Sequence, residues 1–172
     1  SLTSIKSRHK IPYTTVNGVH NDYSDYVFAW TNGFWGGLMW LMYEETKKEC
    51  YKLTAEESEQ KLDKAFEYLE GLHHDVGFMW HITSGANYRL TGNKKSKNRN
   101  ILAAMSLMSR YNVDGEFIRA WNSPKGGVDK SGWTIIDCMM NINILYWASE
   151  VFEDTRFKKV AMKHADTTLI LF

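Results

Sequence analysis

The chain has 172 residues, a length that fits one domain or a piece of a larger one. Hydrophobic residues make up 44% and charged residues 24%, which excludes a disordered chain. With 21 basic and 20 acidic residues the formal net charge is +1, so we expect no nucleic-acid partner held through its phosphates. We also expect no membrane partner, because the sequence lacks an apolar run of about 18 residues.

Six helices are predicted in three pairs, after an extended and polar lead-in at residues 1–25. The second helix is predicted to start at Thr54, because Glu57 lies three residues further on, as in a capping box. The predicted helical ranges are 32–49, 54–71, 76–90, 95–111, 138–149 and 155–172.

The two members of each helix pair differ in composition. The first, third and fifth helices are the more apolar and aromatic, whereas the second, fourth and sixth are amphipathic. An inner ring of helices, covered on more sides than an outer ring, would have this difference. The sequence therefore predicts an all-α fold of stacked helical hairpins, a solenoid or an α/α toroid, over residues 1–172 as a single domain.

Aromatic residues are unusually frequent, at 14% of the chain. Flat rings stack on sugar faces in carbohydrate-binding clefts, although most aromatic side chains fill protein cores. Trp30 and Trp121 lie at the ends of predicted elements, where a stacking platform and core packing are equally compatible with the sequence.

Two acidic residues lie in apolar surroundings, each at the predicted start of an inner helix: Asp75 in HHDVGFMW and Asp137 in WTIIDCMMN. Each alone is well explained as a helix N-cap. Together they also fit a pair of carboxylates that face one cavity. Most glycosidases use such a pair as catalytic groups. His73 and His74 are adjacent, so their side chains diverge, and a hydrogen-bonding role beside Asp75 is favoured over a metal site.

The two cysteines, Cys50 and Cys138, are far apart in the sequence and form neither a zinc pattern nor a disulfide framework. We expect them to be reduced and buried, which is compatible with the cytoplasm. The N-terminal segment lacks the apolar core of a signal peptide. The alternative is that a signal peptide precedes this sequence and has been cleaved off.

Taken in order, the motifs of residues 25–168 resemble those of the unsaturated glucuronyl hydrolases, glycoside hydrolase family 88. The motifs are WTNGFWGGLMWLMYEET, HHDVGFMW, SGANYRLTGN, SRYN, FIRAWN, IIDCMMNINILYWAS and HADTT. The two motifs that contain aspartate are the most specific of them.

This resemblance implies an (α/α)6 barrel that removes a 4,5-unsaturated uronic acid from the non-reducing end of oligosaccharides made by polysaccharide lyases. It implies that Asp137 is the general acid/base and Asp75 the second carboxylate. It further implies that Trp30, His74 and Trp121 contact the unsaturated sugar, and that no metal or organic cofactor is needed. The related unsaturated rhamnogalacturonyl hydrolases, and a noncatalytic helical-repeat module, are the alternatives.

The chain departs from the family in length, because it ends at Phe172 with only three of six hairpins. We expect an N-terminal half with two open edges and an incomplete inner face. That face is predicted to carry Trp35, Trp40, Trp80 and Trp147. We therefore expect self-association and little activity of the 172-residue chain.

Overall fold

The computed structural model describes residues 9–172, so the first eight residues of the predicted lead-in lie outside the described part. The chain divides into two compact units. Among the described residues, the first comprises 9–68 and 79–99, and the second comprises 69–78 and 100–172. Among the described residues, no helix is both long and apolar enough to span a bilayer.

Helices dominate the described chain, with two short antiparallel strand pairs. The α-helices are α1 (Asn32–Thr46), α2 (Glu49–Leu62), α3 (Val76–His81), α4 (Ser84–Thr91), α5 (Lys94–Met108), α6 (Cys138–Asn141), α7 (Asn143–Phe152) and α8 (Thr155–Leu171). Two 3-10 turns cover Asp63–Glu67 and Leu69–Gly71. The strands are β1 (Thr15–Val16), β2 (Val19–His20), β3 (Tyr111–Asn112) and β4 (Phe117–Ile118). β1 pairs with β2, and β3 pairs with β4.

The core of the first unit lies between α1 and α2, with Ala86 of α4 packed against both. α2 begins at Glu49, so the predicted start at Thr54 is wrong. Thr54 lies inside the helix, and its hydroxyl donates to the carbonyl of Cys50. The helix extends upstream because Tyr51 belongs to the buried cluster.

Two tryptophans that we expected on an open inner face are buried. Trp40 is 1% exposed and Trp80 is 0% exposed. Trp40 packs in the cluster between α1 and α2, and the ring of Trp80 lies 4.6 Å from that of Phe66. The expectation that these two rings are exposed to solvent in the 172-residue chain is therefore wrong.

The third predicted helix is divided into α3 and α4 by a tight turn at Thr83. The hydroxyl of Thr83 donates to the carbonyl of Met79, and its backbone N–H donates to the carbonyl of Trp80. These bonds tighten the backbone at a residue with ψ −82°, which interrupts the α-helical ladder. Gly36 of α1 faces this turn, and a Cβ there would lie only 2.9 Å from the Thr83 methyl group.

A buried ionic network links α2, α4 and α5 within the first unit. The guanidinium of Arg99 donates to Glu59 at 3.1 Å and to both carboxylate oxygens of Asp63 at 2.5 Å. The side-chain amide of Asn87 donates to the other Glu59 oxygen at 2.7 Å. Because Glu59 is 0% exposed, both of its oxygens depend on these donors.

The second unit contains the α7–α8 hairpin and the β3–β4 pair. α8 starts at Thr155, as predicted, because the carboxylate of Asp154 accepts from the backbone N–H of Arg156. The predicted fifth helix is interrupted at Ile142, which separates α6 from α7. The core of this unit contains fully buried aliphatic residues, among them Ile118, Ile144, Leu145 and Ala161.

We expect Arg99→Leu to lower the free energy of unfolding by about 3–5 kcal/mol, because the carboxylate of Glu59 would stay buried without its cation. Urea unfolding followed by circular dichroism measures this change. Lys52→Ala is the matched control, since it removes the exposed ion pair between Lys52 and Glu49. Equal midpoints for the two variants would contradict a structural role for the buried network.

Candidate functional site

Asp75 is a buried carboxylate at the start of α3, with its side chain only 4% exposed. Its Oδ2 lies 3.1 Å from Nδ1 of His73. Its Oδ1 lies 3.4 Å from Nε2 of His74 and accepts from the side-chain amide of Asn141 at 3.4 Å. The side chain of Asp75 is therefore surrounded by potential hydrogen-bond donors.

His74 lies between the two predicted carboxylates. Its ring is fully buried, and Nε2 is 3.4 Å from Oδ1 of Asp75 and 3.7 Å from Oδ1 of Asp137. The fold of the second unit thus brings together three of the predicted site residues around one imidazole nitrogen.

Asp137 occupies the position before α6, where an N-cap would lie, but its side chain makes no capping hydrogen bond. The carboxylate is 51% exposed and faces Nε2 of His74. The neighbouring Ile136 and Met140 are also about half exposed, at 49% and 54%. Asp137 is thus reachable from solvent, whereas Asp75 is enclosed.

Gly77 allows α3 and α6 to approach closely. A Cβ at this position would lie 2.5 Å from the carbonyl oxygen of Asn141, closer than any real Cβ contact. The side-chain oxygen of Asn141 accepts from the backbone N–H of Phe78 at 2.8 Å, while its amide donates to Asp75. Because Asn141 ends α6 and Asp137 precedes it, this approach positions the two carboxylates.

Arg110 holds the backbone around the site. Its guanidinium donates to the carbonyls of Leu72, Arg119 and Ala120 and to the side chain of Asn122, at 2.8–3.0 Å. Leu72 directly precedes the histidine pair. The Arg110 side chain therefore fixes the segment that carries His73–Asp75 against residues 119–122.

Trp121 lies beside both histidines, with ring centroids 5.1 Å from His73 and 5.4 Å from His74. Trp30, the other predicted platform, belongs to the first unit. It is 48% exposed, meets Phe34 edge-on at 5.8 Å, and helps to line an open cavity of about 340 Å³. Of the predicted site residues, Asp75, Asp137 and Trp121 thus surround His74. Trp30 belongs to the first unit.

The charges at the site follow from burial and hydrogen bonding. Burial lowers the pKa of His74 below its usual value, against the opposing charges of Asp75 and Asp137. Burial alone would raise the pKa of Asp75, but the hydrogen bond from His73 and the charges of both histidines lower it overall. Near neutral pH, Asp75 is an ionised carboxylate and His74 is a neutral imidazole.

Burial keeps the thiol beside Asp137 protonated near neutral pH. Burial raises the pKa of Cys138 well above its usual value, and the charge of Asp137 adds to this effect. Cys138 is buried, as expected, whereas Cys50 is only partly buried, so the expectation of burial is wrong for Cys50.

One group of described residues has the spacing of metal ligands. The ligand atoms of His74, Asp75 and Asp137 all lie within 4.8 Å of one another. An imidazole packed between two carboxylates at 3.4 and 3.7 Å has the same spacing, so the arrangement does not require an ion. The expectation of a metal-free site stays a prediction.

Arg110 and Asn141 were not among the site residues predicted from the sequence. Both lie inside motifs quoted above, SRYN and IIDCMMNIN. In the structure Arg110 is 8% exposed and Asn141 is fully buried. A polar residue in an apolar helix, as at Asn141, was the available signal.

We expect the free energy of unfolding to fall as the pH is lowered from 6.5 towards 4. His74 and His164 are buried with lowered pKa values, to about 4 for His164, so acid favours the unfolded state, which binds more protons. Asp75 adds to the loss only below its unfolded pKa of 3.8.

Denaturant titrations at pH 7 and pH 5 measure this loss. We expect it to be smaller by about 1 kcal/mol in His164→Gln. His9→Gln, at an exposed histidine, is the control. The same loss in His164→Gln as in the unsubstituted chain would contradict the assignment of the acid sensitivity to His164.

The chain is similar in sequence to curated enzymes. It is 37% identical over 151 residues to the unsaturated glucuronyl hydrolase of Bacillus sp. (strain GL1), covering 86% of this chain and 38% of that protein. It is 37% identical over 136 residues to the unsaturated chondroitin disaccharide hydrolase of Streptococcus agalactiae serotype III (strain NEM316), covering 78% of this chain and 34% of that protein. The chain thus spans well under half the length of these relatives. No protein-family model matches the sequence.

Solved structures extend the similarity to the fold. The unsaturated glucuronyl hydrolase from Bacillus sp. GL1, described as responsible for the degradation of glycosaminoglycan, superposes with a TM-score of 0.79 at 31% identity, over 94% of this chain and 44% of its own. The Streptococcus agalactiae enzyme gives a TM-score of 0.77 at 30% identity, over 97% and 44%. These neighbours are α/α barrels, so the predicted all-α barrel fold is confirmed, with only part of the barrel present. By sequence and by fold, the chain belongs to the family of the unsaturated glucuronyl hydrolases.

Proposed function

We propose that this chain carries the catalytic half of a glycoside hydrolase that releases a 4,5-unsaturated uronic acid from the non-reducing end of lyase-generated oligosaccharides. The observation that supports it most directly is the placement of His74 Nε2 within 3.4 Å of Asp75 and 3.7 Å of Asp137. The relatives named for unsaturated glucuronyl and chondroitin disaccharide substrates add support. The substrate is a glycosaminoglycan fragment or a similar oligosaccharide.

In the proposed reaction, Asp137 protonates C4 of the vinyl ether, and the positive charge that develops at C5 is shared with the ring oxygen. Water then adds at C5 and returns a proton to Asp137, so the carboxyl group ends in its starting state. The resulting hemiketal opens, and the glycosidic linkage collapses. The half-exposed position of Asp137 suits a group that must reach both substrate and water.

Asp75 takes the second role because it is held as an anion. A buried carboxylate near the developing cation lowers the energy of the transition state without needing to reorganise. The donors around Asp75 keep it ionised, which suits charge stabilisation and not proton donation. The ring of His74 lies between the two carboxylates.

Sugar contact is assigned to Trp121, His74 and Trp30. The Trp121 ring flanks the histidine pair, where an aromatic face can stack on a sugar ring. Trp30 is 48% exposed, so part of its ring is accessible to solvent and can contact a sugar. No nucleic acid, membrane or cofactor enters this proposal.

A noncatalytic helical-repeat module would need none of these arrangements. Burying the Asp75 carboxylate costs free energy. A scaffold has no need to place that carboxylate beside His74 and Asp137. The names of the relatives favour a glucuronyl over a rhamnogalacturonyl substrate. We further propose that residues 1–172 are part of one incomplete α/α-toroid catalytic domain. We also propose that the protein acts in the cytoplasm, where a thiol such as that of Cys138 stays reduced.

We expect Asp137→Asn to lower turnover by about 10²–10⁴ in a full-length form, where a second half like that of the relatives follows this chain. The loss of absorbance of the unsaturated uronate, with a lyase-made disaccharide, measures the rate.

Asp75→Asn should also be severely impaired, because it removes the negative charge that stabilises the developing cation. Comparing the pH profiles of the Asp75→Asn and Asp137→Asn variants separates charge stabilisation from proton transfer.

Asp114→Asn is the matched control, since Asp114 is an exposed carboxylate in the β3–β4 turn. It should keep the unsubstituted rate. A loss of only a few-fold in Asp137→Asn would reduce Asp137 to a structural residue and remove the proposed mechanism.

We propose that the 172-residue chain pairs with a second copy through one face of α1. Four apolar side chains at helical spacing lie on this face with 37–60% of their surface exposed: Phe34, Leu38, Leu41 and Met42. Behind them lies an apolar cavity of about 270 Å³ that reaches Ile82 and Ala86. Since the relatives are more than twice as long as the matched region, a second copy has a size comparable to the remainder of those relatives.

We expect the isolated chain to be a dimer by multi-angle light scattering and to show little or no turnover. Leu38→Glu combined with Leu41→Glu should give a monomer, because two buried charges would oppose the contact. Val113→Glu, at an apolar side chain that is 76% exposed on the β3–β4 turn, should stay dimeric. A monomeric unsubstituted chain would contradict the proposed pairing.

A further inference from the structure

His164 is a buried histidine in the second unit that the proposed reaction does not use. It lies on α8 and is 0% exposed. Its Nδ1 accepts a hydrogen bond from the backbone N–H of Ile118 at 3.1 Å. Because Nδ1 is an acceptor, a neutral His164 ring must carry its proton on Nε2.

The ring is neutral near pH 7. Burial lowers the pKa of His164 to about 4, with a further contribution from the charge of His74. Nε2–H of His164 is therefore a buried donor, and among the described residues it has no protein acceptor within hydrogen-bonding geometry. Nδ1 of His74 is likewise buried without a protein partner in the described chain.

β4 and the two residues after it contact both His164 and His74 on one edge. The backbone N–H of Arg119 donates to the carbonyl of Arg110, so Ile118 and Ala120 direct their polar groups towards the opposite edge. On that edge the N–H of Ile118 meets the ring of His164, and the carbonyl of Ala120 accepts from the backbone N–H of His74. Two residues of extended chain span about 7 Å, so the ring of His164 and the backbone N–H of His74 contact neighbouring points of this segment. The two side chains also interact electrostatically, because His74 contributes to the lowered pKa of His164.

We propose that His164 is a positioning residue for His74: its Nε2–H donates to a water molecule that in turn donates to Nδ1 of His74, and so fixes the tautomer whose Nε2–H faces Asp75 and Asp137. Any effect of this tautomer on catalysis rests on the proposed function, whereas the assignment of the tautomer does not.

Both sides of the His74 ring favour this tautomer. With the proton on Nδ1, two N–H groups would face each other across the gap to His164. The Nε2 lone pair would then face carboxylate oxygens at 3.4 and 3.7 Å. With the proton on Nε2, a donor meets the carboxylates and an acceptor meets His164.

Long-range ¹H–¹⁵N spectra of the ¹⁵N-histidine-labelled chain at pH 7 test the proposal. We expect the proton on Nε2 in both His164 and His74. His164→Leu should shift the tautomer ratio of His74 by about tenfold, the effect of one hydrogen bond. His164→Gln should restore the ratio, because its amide oxygen can accept from Ile118 and its amide nitrogen can donate to the same water molecule.

A His74 ring protonated on Nδ1 in the unsubstituted chain would overturn the proposal. An unchanged ratio in a folded His164→Leu variant would also overturn it. If that variant does not fold, the spectrum of the unsubstituted chain and the His164→Gln variant still decide the question. No substrate is present in these measurements, so failure of the proposed hydrolase activity is seen separately, in the absorbance assay.

Discussion

The buried guanidinium of Arg110 is the interaction on which the candidate site depends. It donates to three backbone carbonyls and one side chain, and these acceptors belong to the two segments that carry His73–Asp75 and Trp121. Burial lowers its pKa to about 10, with a further contribution from Arg119, which still leaves it fully charged near pH 7. A buried cation whose donors are satisfied by carbonyl oxygens is costly to displace, so irregular loop backbone around the site is held in one conformation.

The second constraint is the contact between α3 and α6 at Gly77. Without a side chain at Gly77, the backbone of Asn141 comes close enough for its side chain to bond Phe78 and Asp75. The two carboxylates then differ in environment, because Asp75 is enclosed by donors whereas Asp137 is half exposed. This difference is what lets chemically identical groups take different roles.

The sequence analysis was successful where local pattern and short-range chemistry dominate. α8 begins at its predicted residue because Asp154 caps it, and the Asp75 and Asp137 motifs lie at helix starts as expected. It was wrong at Thr54, where a capping pattern lies inside a longer helix, because burial of Tyr51 extends α2 upstream. It also missed the turn at Thr83, which depends on bonds to Met79 and Trp80 in the preceding helical turn.

The sequence by itself determined the helical class, the family resemblance and which acidic residues deserved attention, since these depend on periodicity and on motifs a few residues long. Only the tertiary structure decided that His74 lies between Asp75 and Asp137, and that Asp75 is ionised and enclosed. It also assigned structural roles to Arg110, Asn141 and His164. The reason is physical: burial and hydrogen-bond partners 38–66 residues away in the chain set the charge and orientation of a side chain, and no local pattern encodes them.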